Sequence, residues 1–121
     1  MIINTENLRD IIETEYSDIV EYISLPDINE LRVFLIDGSF LDIWFSLKLE
    51  GRYSYHWERR FIDNSIYRHD NAPHRNWKKV KTFPKHFHSG TEENVVESYI
   101  SDNPESAIRE FLDFIKSKML K

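Results

Sequence analysis

Hydrophobic and polar positions change their period twice along this chain, dividing it into a helix, a run of strands and a second helix. Leu8, Ile11 and Ile12 recur at helical spacing among the acids Glu6, Asp10, Glu13 and Glu15, which predicts a short helix capped by Asn4 or Thr5. The period then shortens, and Ile19, Val20, Tyr22, Ile23 and Leu25 predict a strand that stops at Pro26-Asp27. Leu31 to Ile36 and Phe40 to Leu47 are apolar runs joined by Asp37-Gly38, a dipeptide suited to the positive φ angles of a tight hairpin. After a second reversal at Glu50-Gly51, alternation from Arg52 to Phe61 puts Tyr53, Tyr55, Trp57 and Arg59 on one face. Arg52, Ser54, His56, Glu58 and Arg60 take the other. Asp63-Asn64-Ser65 then turns the chain into Ile66-Tyr67-Arg68-His69.

The C-terminal end reads as helix. Asn103 is the expected N-cap, Pro104 suits the first turn, and Ala107, Ile108, Phe111, Leu112, Ile115 and Met119 form an apolar stripe. A shorter helix is expected from Glu92 to Ile100, which leaves Asn71 to Gly90 as a long loop-rich segment. The predicted class is α+β: an antiparallel meander of about five strands, flanked by an N-terminal helix and a C-terminal amphipathic helix. At 121 residues a single domain over 1–121 is expected.

Composition narrows the chemistry. With no cysteine, disulfides, thiolate metal sites and a cysteine nucleophile are excluded. The opening Met1-Ile2-Ile3-Asn4 lacks a leader pattern, and no run approaches the roughly 18 apolar residues of a membrane span, so a cytoplasmic protein away from membranes is expected.

The net charge of −5 hides a split. From Arg52 to His88, nine Lys and Arg stand against three Asp and Glu, a surplus of six positive charges, whereas the rest of the chain has seven against eighteen. All five histidines and eight of the seventeen aromatics fall in the same stretch. Basic side chains interleaved with flat rings suit single-stranded nucleic acid, whose phosphates they neutralise and whose bases they stack. Tyr55, Arg59, Arg60, Arg75, Lys78, Lys79, Lys81 and Lys85 are the expected contacts. A solvated charged sheet face is the plainer reading of the same residues.

Candidate catalytic groups cluster in Arg68-His69-Asp70-Asn71-Ala72-Pro73-His74 and Thr82-Phe83-Pro84-Lys85-His86-Phe87-His88. Cleaving RNA without a metal needs a base for the 2′-OH, an acid for the leaving 5′-oxygen and a cation for the phosphoryl oxygens. His74, His86 or His88 can act as acid and base, because imidazole titrates near pH 6.5 or about there. Arg68 can supply the cation, and Asp70 can orient a ring. The same His74, His86, His88 and Asp70 could instead hold a divalent metal that activates water. A third alternative is a non-enzymatic module that binds nucleic acid or an acidic partner through the basic, aromatic face. Asp70-Asn71-Ala72-Pro73 is also a sound turn sequence, so Asp70 has a structural role open to it as well.

These strings, with Tyr53-Ser54-Tyr55-His56-Trp57, resemble the core pattern of the TumE toxin family. The resemblance covers the meander, the long loop and, in kind, the last helix. Its motif positions here are Tyr55, Arg68, Asp70, Asn71, Pro73, His74, Pro84, His86 and His88, and Lys85-His86 stands where a His-His pair is expected. It implies a cytoplasmic prokaryotic toxin held inactive by a helix-turn-helix antitoxin; RNA as the target is the expectation of the residue chemistry above. A homodimer is compatible with an apolar rim on the sheet.

Overall fold

The structure is a computed structural model that describes residues 3–119; Met1 and Ile2, which bear on the expected absence of a leader, lie outside them. Seven strands run in sequence order in one antiparallel sheet: β1 (Val20–Asp27), β2 (Glu30–Leu35), β3 (Phe40–Phe45), β4 (Tyr53–Arg59), β5 (Ser65–Asp70), β6 (His86–Gly90) and β7 (Val95–Glu97). Helix α1 (Thr5–Glu15) precedes the sheet, the single turn α2 (Arg60–Asp63) links β4 to β5, and α3 (Pro104–Met119) closes the chain. The α+β class and its two flanking helices are as the sequence predicts.

Both helices cover one face. The side chains of Leu31, Val33, Leu35, Leu41, Ile43, Phe45, Tyr53, Tyr55 and Trp57 alternate toward that face and meet Leu8 and Ile12 of α1 and Ala107, Ile108, Phe111, Leu112 and Ile115 of α3. Burying each large apolar side chain contributes roughly 1.5–3 kcal/mol, so this sandwich is the main source of stability. Phe111 stacks on Tyr55, and Phe114 meets Trp57, Tyr67 and Phe87 edge-on. The helices are also joined to each other: the Tyr16 hydroxyl donates to Asp113 Oδ1 at 2.8 Å, and Arg109 pairs with Glu15.

The local signals explain the boundaries. Asn4 caps α1 by accepting the Asn7 N–H at 3.0 Å, and Asn103 caps α3 by accepting that of Ser106 at 3.1 Å. Gly38, with φ 93°, makes the β2–β3 reversal, and Asn64, with φ 64°, ends α2.

Two expectations are corrected. The sheet has seven strands rather than about five, because the end of the long segment pairs with β5 as β6. The segment expected as a helix from Glu92 to Ile100 is a turn and the short strand β7, which β6 recruits by backbone pairing. β1 ends at Asp27, where Pro26-Asp27 predicts its stop; as an edge strand it tolerates a residue without an N–H. Trp44 lies half-buried on the helix-free face because it alternates with Ile43 and Phe45.

Candidate active site

Cross-strand register assembles a polar cluster on the helix-free face. His56 of β4 stands opposite Arg68 of β5, Arg68 opposite His88 of β6, and Asp70 opposite His86. The residues between them, Tyr55, Tyr67, His69 and Phe87, point the other way, toward the helices. Asp70, His86 and His88 are all buried.

The partners of each ring nitrogen define its proton. His86 Nε2 lies 3.1 Å from Asp70 Oδ1, and its Nδ1 lies 2.9 Å from the carbonyl oxygen of Pro84. Both partners accept, so both nitrogens donate and the ring is an imidazolium. His88 Nδ1 donates to the Glu92 carbonyl at 2.8 Å, while its Nε2 receives Arg68 Nη2 at 3.3 Å. That ring is neutral, with its lone pair turned to the same point, 3.8 Å from Asp70 Oδ2.

Arg68 is the hub. Its Nε donates to Asp70 Oδ2 at 3.1 Å, its Nη1 to His56 Nδ1 at 3.2 Å, and Nη1 and Nη2 donate to the two oxygens of Glu92 at 2.7 and 3.0 Å. His56 Nε2 in turn donates to Glu58 Oε1 at 3.1 Å. Asp70 Oδ1 also accepts the Ala72 N–H at 3.0 Å, so this carboxylate makes the predicted turn and serves the cluster at once.

These contacts move the two histidines apart. Burial pushes His86 down, but its bonds to Asp70 and to the Pro84 carbonyl outweigh burial and leave its pKa above the ordinary value. Burial, helped by the Arg68 charge, holds His88 below it, against the opposing bond to the Glu92 carbonyl. Burial raises Asp70, yet the His86 bond and the Ala72 N–H bring it below the usual carboxylate value. Two groups of one kind, side by side with opposite shifts, are what acid–base pairs require.

A strap over residues 71–85 crosses the cluster. Asn71 anchors its start, accepting the Tyr53 N–H and donating to the Gly51 carbonyl. Trp77 lies over the two rings, its centroid 6.1 Å from that of His86 and 5.8 Å from that of His88. A large groove, of about 1010 Å³, opens elsewhere, among Ile3, Leu47, Tyr53 and Pro104, and none of the cluster lines it.

The expected catalytic set is thus brought together in part. Arg68, Asp70, His86 and His88 converge, whereas His74 sits exposed on the strap, where its Nδ1 accepts the Asn76 N–H and its ring lies 5.9 Å from Trp77. Among the expected nucleic-acid contacts, Tyr55 is corrected to core: it is 1% exposed beneath α3, since alternation turns it away from the cluster. Arg59 pairs with Asp37 and Asp63, Arg60 with Glu58, and Lys85 approaches Asp102 at 3.7 Å. Arg75, Lys78, Lys79 and Lys81 are exposed along the strap. His56, Glu58, Trp77 and Glu92 are members that the sequence reading did not choose. The alternation of β4 marked His56 and Glu58 as facing away from the core; Glu92, in a turn, carried no such signal.

Asp70, His86 and His88 could also hold a metal ion, since one donor atom from each lies within 4.8 Å of the others. Both histidines are braced through Nδ1 on carbonyls, as metal-bound imidazoles are. The Arg68 guanidinium, against both Asp70 and His88, puts a permanent cation at the same point.

Comparison with known proteins agrees with the sequence resemblance. The family model described as Toxin TumE matches residues 5–119, which takes in both helices, the sheet and the whole cluster. No curated protein and no solved structure matches the chain.

Proposed function

The chain belongs to the TumE toxin family and so is a toxin of a toxin–antitoxin module, with an antitoxin as partner; we propose that it acts by cleaving RNA without a metal. One observation supports this reading above the others. An imidazolium and a neutral imidazole present their Nε2 atoms at one carboxylate, with an arginine between them. His88 Nε2 takes the proton of the 2′-OH, and the 2′-oxygen attacks phosphorus. The P–O5′ bond breaks, and His86 Nε2 gives its proton to the departing 5′-oxygen. The products are a 2′,3′-cyclic phosphate and a 5′-hydroxyl. Arg68 neutralises charge gathering on the non-bridging oxygens, and Asp70 orients His86 and keeps it protonated. Both rings lie under Trp77, so substrate enters as the strap lifts, and Arg75, Lys78, Lys79 and Lys81 meet the neighbouring phosphates. The antitoxin in this reading is a helix-turn-helix protein of the same cytoplasm.

The test is incubation of the purified protein with defined RNAs, with and without EDTA, beside His86→Ala and His88→Ala variants whose folding is checked by circular dichroism. Cleavage that survives EDTA, leaves cyclic phosphate ends and falls by about 10²-fold or more in each variant supports the reading. The second reading, a metal-dependent hydrolase, rests on the spacing of Asp70, His86 and His88, and cleavage abolished by EDTA would favour it. Salt-sensitive RNA retention without cleavage would overturn both.

A further inference from the structure

Arg68 holds a carboxylate in the way a guanidinium holds a phosphate. Its Nη1 and Nη2 meet the two oxygens of Glu92 at 2.7 and 3.0 Å, a fork-to-fork geometry that suits either anion. The two acids on Arg68 are not alike. Asp70 lies on the inner Nε side and is buried, whereas Glu92 comes from the turn between β6 and β7 with its side chain 45% exposed. An ion pair open to water on one side contributes little to folding, so its release costs little.

Charge favours exchange at this point. With Glu92 in place, Arg68 and the His86 imidazolium are balanced by Asp70 and Glu92. With the Glu92 carboxylate withdrawn, one positive charge remains uncompensated, flanked by His56 and His88. The turn itself need not move, because His88 Nδ1 is held by the main-chain carbonyl of Glu92 and not by its side chain. Loss of the carboxylate therefore leaves the tautomer of His88 as it is.

We propose that the Nη edge of Arg68 is a binding site for a phosphate group and that the Glu92 carboxylate is its internal occupant, displaced when phosphate binds. A phosphate seated there puts an oxygen beside His88 Nε2. Its being a phosphodiester of RNA rests on the ribonuclease reading; the anion site does not. Glu92 then holds the resting site closed to stray anions and yields to a ligand that brings its own negative charge.

Titration calorimetry with inorganic phosphate on the intact protein, on Glu92→Gln and on Arg68→Gln/Glu92→Gln tests this. Gln keeps the length of the side chain and the turn but cannot compete as an anion. We expect Glu92→Gln to bind phosphate about tenfold more tightly than the parent, and the gain to vanish in the double variant. Equal affinity in parent and Glu92→Gln, or a gain that survives in the double variant, overturns the proposal. If the double variant fails to fold, the Arg68 Nε–H resonance of Glu92→Gln decides: it shifts on phosphate titration, and an unmoved signal overturns the site. Phosphate binding gained without RNA cleavage sinks only the ribonuclease reading; normal cleavage with unchanged phosphate affinity sinks only this inference.

Discussion

His86 donates from both ring nitrogens, to Asp70 Oδ1 at 3.1 Å and to the Pro84 carbonyl at 2.9 Å, and so carries its charge inside the protein. Its neighbour His88 is held neutral by burial and by Arg68. The two rings are divided by environment and not by residue type.

On the ribonuclease reading, that division sets the pH dependence of RNA cleavage. Activity needs His88 unprotonated and His86 protonated, so kcat/KM should rise through a group below about pH 6.5 and fall through one above it. Asp70→Asn removes the anion that keeps His86 protonated, and the alkaline limb should move toward acid. A pH–rate profile of parent and variant checks this, and an unmoved alkaline limb would detach His86 from the acid role.

His69 predicts how stability responds to acid. Its ring is fully buried between Tyr53 and Tyr55; Nδ1 is 2.7 Å from Ser98 Oγ, and Nε2 has no hydrogen-bond partner among the described residues. Burial lowers its pKa to about 4. A histidine depressed on folding binds more protons when unfolded, so its contribution is present above pH 6.5 or about there and is lost as pH falls toward 4. Urea titrations should show stability falling over that window by up to about 3 kcal/mol from this group, with the slope flattened in His69→Phe. An identical slope in the variant would assign acid lability to another group.

Trp77 predicts access. It covers His86 and His88 from a strap with little regular structure, so Trp77→Ala should leave the sheet intact while exposing both rings. Diethyl pyrocarbonate, which attacks only neutral imidazole, should then modify His88 about tenfold faster than in the parent, while His69, buried on the other face, should show no change. Peptide mass spectrometry reads each site separately. Equal rates at His88 in parent and variant would mean that the indole is not the cover.

Much of this was legible in the chain because burial on one face imposes a period. The alternation Tyr53, Tyr55, Trp57 determined which side of β4 meets α3, and it placed His56 and Glu58 on the other side. Asp37-Gly38 and Asn103-Pro104 marked a reversal and a helix start through local backbone chemistry alone. The candidates Arg68, Asp70, His86 and His88 were legible as residue types able to do acid–base work on phosphate.

β6 and β7 were not legible, since His86-Phe87-His88-Ser89-Gly90 has little strand propensity of its own and takes its conformation from the free edge of β5. Nor could residue spacing tell His74, which caps a turn of the strap, from His88, which enters the cluster. The sequence by itself determined the class, the two helices, the face of each β4 residue and the supply of candidate acid–base groups. Only the tertiary structure decided which of those groups meet, which ring is charged and that Glu92 sits on Arg68. Those outcomes depend on the register of β4, β5 and β6, and a slip of one residue would turn every member of the cluster to the opposite face.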